Sequence, residues 1–176
     1  MISHRPHGRT LPTVPVHVAL IGCGKAKRDT TAPAKDLYTG TLFRLARAWA
    51  ETHADRWLVI SAAHGLVEPQ RVLEPYDRTL AGKSFDAVSQ FCFWCQADYA
   101  RLLMDLGGRP QKITILAGKH YVSPLLKFTA IAHANYELPL SGLGIGDRQK
   151  WLRTQSRSPL VQHTFSFMGE ARSGTR

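Results

Sequence analysis

The chain has 176 residues, 44% of them hydrophobic and 20% charged, enough apolar sequence to bury the core of one domain. No apolar run approaches the roughly 18–20 residues needed to cross a bilayer, so no membrane partner is expected. Lys and Arg number 23 against 13 Asp and Glu, a formal net charge of +10, and such an excess favours a polyanionic partner, most commonly nucleic acid.

Residues 1–13 are polar, basic and punctuated by Pro and Gly, as expected of a loose basic arm. They hold no apolar segment of secretory type. Three cysteines make no disulfide framework, so a reducing cytoplasm is the expected setting. VHVALIG, Val16 to Gly22, is a continuous apolar run of the kind buried on both faces of a parallel sheet. Thr39 or Thr41 is placed to cap a helix carrying LFRLARAWAETHA, whose Leu42, Leu45, Ala46 and Trp49 share a face. WLVIS, Trp57 to Ser61, is a second strand. Phe85 to Leu106 has the pattern of a long amphipathic helix stopped by Gly107-Gly108. KITILAG (Lys112 to Gly118) is a third strand. YVSPLLKFTAIA follows as a helix with Pro124 in its first turn. ANYELPL offers a short fourth strand and GIGDRQKWLRTQ a last helix. Residues 159–176 have weak periodicity and read as a tail. The expected fold is therefore one α/β domain over residues 14–158, a three-layer sandwich around a mainly parallel sheet of about four strands.

In such sheets ligands bind beyond the carboxyl ends of the strands. The four strands run into GCGKAKRD, SAAHGLVEP, AGKHYVSP and PLSGLGIGD. All four loops carry small residues and the first three add Lys or His, so together they read as a single site.

The first loop, with Gly22, Cys23, Gly24, Lys25 and Lys27, is neither a phosphate loop of the GxxxxGK[ST] type nor GxGxxG, which argues against ATP and dinucleotides. Its glycines and cations suit a phosphate held by backbone amides and charge; the alternative is a tight turn with solvated lysines. Cys23 reads either as a nucleophile or as a small packed residue. Cys92 and Cys95 form C-x-x-C inside the long helix, and with no second pair they read as buried thiols rather than a metal site. On the second loop, Ser61, Ala62 and Ala63 leave room beside His64 for a flat group, and Gly65 permits a sharp turn. His64 is a base-reading candidate or a structural histidine. Asp77, in EPYDRTL, is a candidate carboxylate or a helix cap through Thr79 or Leu80; Glu68 and Glu74 are further candidates or mere turn residues. Lys119, His120 and Tyr121 stand at a helix start, where partial positive charge reinforces anion binding.

The set CGKAK, LYTGTLFRLARAWAE, ISAAHGLVEP, EPYDRTL, LAGKHYVSPL and PLSGLGIGDRQKWL resembles a family of small bacterial and phage proteins. That family is distantly similar to the uracil-DNA glycosylase-like fold, to the YaaA peroxide-stress proteins, and to antiviral DNA glycosylases that remove hypermodified, for example glucosylated, cytosines. The resemblance spans about Val16 to Gln155. It implies a DNA glycosylase in anti-phage defence, and since the sequence offers no ligand set for a catalytic ion, neither a metal nor a cofactor is expected. The chain lacks the water-activating loop of uracil enzymes after its first strand, and their late His-Pro-Ser loop. Their catalytic residues therefore do not transfer.

N-glycosidic cleavage builds positive charge on the sugar and negative charge on the departing base, so it needs a carboxylate near the one and donors near the other. Asp77 is the expected carboxylate, His64 with Lys119 or His120 the donors, and Lys25 a grip on a flanking phosphate. A flipped base also needs an aromatic or apolar wall, for which Tyr38, Tyr76 and Tyr121 are candidates. Two other classes fit the same residues: a nucleoside or nucleotide glycosidase or deoxyribosyltransferase, and a non-enzymatic sensor of modified DNA.

Overall fold

The computed structural model of the protein describes residues 11–155. The proposed tail at 159–176, and most of the proposed arm, lie outside the described residues. The arm ends earlier than expected. Strand β1 runs over Thr13–Gly22 and pairs in parallel with β6 (Arg109–Leu116) from Thr13 onward. Its register on β6 shifts between Val14 and His17, around Pro15, which has no N–H to give to a ladder.

After β1 come a two-residue strand β2 (Ala32–Pro33), the short helix α1 (Ala34–Leu37) and the helix α2 (Thr41–His53). Neither Thr39 nor Thr41 caps α2: Gly40 holds that position and makes no side-chain hydrogen bond. Strand β3 (Arg56–Ser61) then turns tightly into β4 (Gly65–Val67), and β5 (Val72–Leu73) pairs with β2. Helix α3 occupies Phe85–Leu106 as its periodicity predicts. Ser84 Oγ accepts from Ala87 N at its start, and Gly107, at φ 69°, ends it. Helix α4 (Lys119–Phe128) holds Pro124 in its interior rather than its first turn. The chain leaves α-helix at Thr129, whose hydroxyl bonds Leu125 O, and the rest of the expected helix is a 3-10 turn at Ala130–His133. Strand β7 (Tyr136–Glu137) and helix α5 (Ile145–Gln155) complete the described chain.

The sheet has five strands in the order β4-β3-β1-β6-β7. Strands β3, β1, β6 and β7 are parallel, while β4 is an antiparallel edge on β3. The sheet is thus mixed, one strand wider than expected, because SAAHG closes a hairpin instead of opening a long loop. Alternate residues of β1 separate two cores. Val18 and Leu20 pack with Phe91, Cys95 and Tyr99 of α3 and Leu125 of α4. Ala19 and Ile21 pack with Phe43, Trp49 and Ala50 of α2 and Leu152 of α5. Helices therefore cover both faces. The chain passes from β1 to β3 on one side, then returns across β1 to β6, so the connections diverge at the carboxyl ends of β1 and β6. A crevice is expected there in any open sheet of this kind. Among the described residues no helix is long and apolar enough to cross a membrane.

At the opposite edge, His17 ties β1 to α2 and β6. Its Nδ1 donates to His53 O at 2.7 Å, which leaves Nε2 to accept from Thr114 Oγ1 at 2.8 Å. Both bonds suit the neutral ring. Burial, aided by Lys112, lowers the His17 pKa from 6.5, while the His53 carbonyl, Asp55 and Glu137 pull the other way. A histidine whose folded pKa is depressed stabilises the fold fully above pH 6.5 and loses that contribution as pH falls below it. Stability should therefore drop more steeply from pH 7.5 to 5.5 in the wild type than in His17→Gln. Parallel urea denaturation curves at the two pH values check this, and equal drops would refute it.

Candidate functional site at the carboxyl edge of the sheet

The switch-point crevice is a cavity of about 250 Å³. Gly22, Cys23 and Gly24 bring the end of β1 to it, Ala117 and Gly118 the end of β6, and His120 and Tyr121 the first turn of α4. Gly22 is required by close approach: a Cβ there would stand 3.1 Å from Ala117 Cβ. Leu42 and Phe43 add the start of α2, Ile145 and Arg148 the start of α5, and Thr79 the segment before α3. Three helix N-termini thus point to one cavity, each contributing partial positive charge. The walls are largely apolar, as in small-molecule pockets generally.

Cys23 stands between this cavity and a second cluster. Its backbone N–H bonds Ile60 O at 3.0 Å, and its Sγ donates to Tyr121 Oη at 3.4 Å. Beyond it, Ser61 Oγ accepts from Ala63 N and His64 N at 3.3 and 3.2 Å, so its own proton is free for Tyr76 Oη at 2.8 Å. Tyr76 then donates to Tyr38 Oη, also at 2.8 Å. The His64 ring meets Tyr76 edge-on at 5.1 Å, and Lys27 Nζ lies 4.4 Å from the Tyr76 ring centre. Burial raises all three tyrosines, Tyr38 to about 12, and the adjacent Cys23 adds to the effect in each. They are neutral hydroxyl donors at physiological pH. Burial also lowers the His64 pKa, with Arg71 and Arg78 pushing the same way. These three effects all favour the neutral His64 ring over the cation.

The structure gathers Gly22, Cys23, Gly24, His120 and Tyr121 around the cavity, and Lys27, Tyr38, Ser61, His64 and Tyr76 beside it. Tyr38 is only 2% exposed, so its ring cannot be a stacking wall; it supports Tyr76 from within the core. Lys25 and Lys119 are exposed, and Lys119 opens onto the surface next to the cavity rather than into it. Glu68 is removed from the site: β4 carries the chain away from this edge, and Glu68 pairs with Arg56, at the start of β3, at 3.0 Å. Glu74 is exposed. Asp77 is exposed on the segment between Tyr76 and Thr79 and takes part in no ion pair or hydrogen bond among the described residues. No helix begins near it, so it caps none. Cys92 and Cys95 are buried free thiols in α3. Cys92 Sγ donates to Pro124 O, and burial raises the Cys95 pKa. Among the described residues no group of His, Cys, Asp and Glu is placed to hold a metal ion.

Sequence reasoning missed Arg148 and Thr79. Arg148 Nε donates to Leu143 O at 2.8 Å, and Nη1 comes within 3.7 Å of where a Gly118 Cβ would be. The GDR at the start of the last helix was its available signal, since a helix after a parallel strand begins at the ligand-binding edge. Among the described residues, every ion pair involves Arg47, Arg56, Arg101 or Lys112. Lys25, Lys27, Arg78, Lys119 and Arg148, around the site, have no acidic partner.

These features define a doubly wound α/β protein with a cavity of about 250 Å³ at its switch point and nearby cations that have no acidic partner among the described residues. Residues 18–154 match the family of unknown function DUF6884, and the chain belongs to that family. No curated protein matches the chain.

Proposed function

We propose that the protein is a DNA glycosylase that binds DNA across the carboxyl edge of its sheet and cleaves the N-glycosidic bond of a modified base held in the switch-point cavity. The observation that carries this reading is the cavity itself, with largely apolar walls and Arg148, which has no acidic partner among the described residues, in its lining. Its volume falls below the roughly 300–1,000 Å³ of pockets for drug-sized ligands. It suits one flipped base with the backbone left outside. This reading groups the chain with the uracil-DNA glycosylase-like proteins that its motifs resemble. That resemblance also supports a hypermodified phage base as the target and anti-phage defence as the setting. Tyr121 offers aromatic surface in the wall, and His120 and the Tyr121 hydroxyl are donors toward a departing base. On this reading Arg148, in the cavity lining, and the exposed Lys25 grip flanking phosphates, and the exposed Asp77 supplies the charge toward the sugar.

Incubation with normal and phage-modified DNA, then alkali, should expose abasic sites only where a modified base is present, and mass spectrometry of the released base identifies it. Release from free nucleosides but from no DNA would instead favour a nucleoside glycosidase or transferase. DNA binding without release of any base would favour a sensor.

If about five cations contact phosphate, counterion release should weaken DNA binding about 10²–10³-fold between 50 and 200 mM salt. Fluorescence anisotropy of a labelled oligonucleotide measures this, and a flat response would remove the polyanion argument.

A further inference from the structure

Beside the cavity, an open groove of about 500 Å³ runs between the first turns of α3 and the length of α4. Leu80 and Pro124 are among its apolar residues, and Lys119, His120, Lys127 and Phe128 its exposed ones. None of the residues lining it is acidic. Along α4, residues 119–120, 123–124 and 127–128 follow one another at four-residue intervals, so cations and apolar surface form a stripe on one helix face. From Lys119 to Lys127 that stripe is about 12 Å long at 1.5 Å per residue. Phe128 is 47% exposed, and Lys127 Nζ lies 5.2 Å from its ring centre. His120 lines both this groove and the cavity, so the two adjoin at that residue.

We infer that this groove is a track for single-stranded DNA, carrying the nucleotides that flank the base in the cavity. The inference rests on the proposed base-excision reading for what occupies the cavity, although the groove binds DNA in its own right. Charge complementarity selects a polyanion, because the stripe is basic and none of the groove's lining residues is acidic. The exposed ring selects an unpaired strand, since only bases free of a duplex stack offer their faces to an aromatic side chain. A duplex would meet the cations but leave Phe128 without a partner.

Anisotropy with a labelled 12-mer of deoxythymidine, and with a duplex of equal length, tests the track on the intact protein. The double variant Lys127→Ala, Phe128→Ala should weaken single-strand binding about fivefold to a hundredfold, the range for losing one stacked base, and leave duplex binding changed by less than threefold. Lys127→Ala alone should lower the salt slope for the single strand by about 0.7. Both side chains are on the surface, so the melting temperature should hold. Unchanged single-strand affinity in the double variant, or equal losses for both DNAs, overturns the track. The two readings fail separately. A wild type that releases no base, with single-strand binding still lost in the double variant, removes the glycosylase and keeps the groove. Base release with unchanged binding in the variant does the reverse.

Discussion

Asp77→Asn should lower base release by roughly 10²–10⁴-fold, the scale of losing a positioned acid–base group, while the melting temperature stays within a degree or two of wild type. The proposed base excision requires a negative charge beside the sugar, and an amide can neither stabilise an oxocarbenium-like cation nor take a proton from water. What makes the variant decisive is the isolation of Asp77. It is exposed, pairs with no cation, accepts no hydrogen bond from a described residue and caps no helix. Exposed positions of this kind change stability by about 0.5 kcal/mol or less on substitution, so loss of activity cannot be assigned to loss of fold. DNA affinity should hold or rise, because one negative charge fewer faces the phosphates. Base release assayed beside a thermal melt checks both halves. A stable and fully active Asp77→Asn protein would remove Asp77 from the mechanism and leave His120, Tyr121 and the Cys23 thiol as the remaining reactive groups at the cavity.

Gly65→Ala is expected to be the most destabilising single-methyl change in the site. Gly65 closes the turn between β3 and β4 at φ 72°, where an L residue with a Cβ costs about 1–2 kcal/mol. The added Cβ would also stand 2.9 Å from Trp94 Cβ, 3.1 Å from the Trp94 carbonyl carbon, and closer still to the Asp98 carboxylate. Asp98 Oδ2 accepts the Leu66 N–H at 3.0 Å, so it cannot retreat without losing the bond that ties β4 to α3. Overpacking of this sort adds about 1–3 kcal/mol. The turn also holds the His64 and Ala63 amides on Ser61 Oγ, so a displaced turn disturbs the Ser61–Tyr76–Tyr38 chain as well. Urea denaturation measures the loss, and a Gly65→Ala protein as stable as wild type would show that the hairpin tolerates another backbone path. The sequence reading placed Gly65 in a sharp turn; that this turn closes a hairpin against α3 comes from the packing.

Local patterns were enough for much of this molecule. The apolar runs ending at Gly22, Ser61 and Leu116 are strands because both their faces are buried, and no polar alternation was needed to find them. Ser84 and Gly107 bound α3 by capping chemistry that depends only on near neighbours. The convergence of four loops was also legible, since parallel strands joined by helices put all their following loops on one edge. That rule alone puts Cys23, Ser61, His64, His120 and Tyr121 at one end of the sheet. The excess of positive charge was equally a property of composition.

Tertiary packing decided the rest. Whether SAAHG opens a loop or closes a hairpin depends on Trp94 and Asp98, about thirty residues later, and that choice sent Glu68 away from the site to pair with Arg56. Tyr38 reads from the sequence as an aromatic wall, and packing against Phe43 with its hydroxyl bonded to that of Tyr76 puts it in the core instead. The ionisation of His64 follows from burial and from Arg71 and Arg78, none of which its own neighbours in sequence reveal. Arg148 came to the cavity only because α5 packs beside α2, which places its first turn over Gly118. Hydrophobic periodicity and capping act over a few residues and can be read from the chain. Burial, ion pairing and pKa depend on groups far apart in sequence, and only the closed fold sets the distances between them.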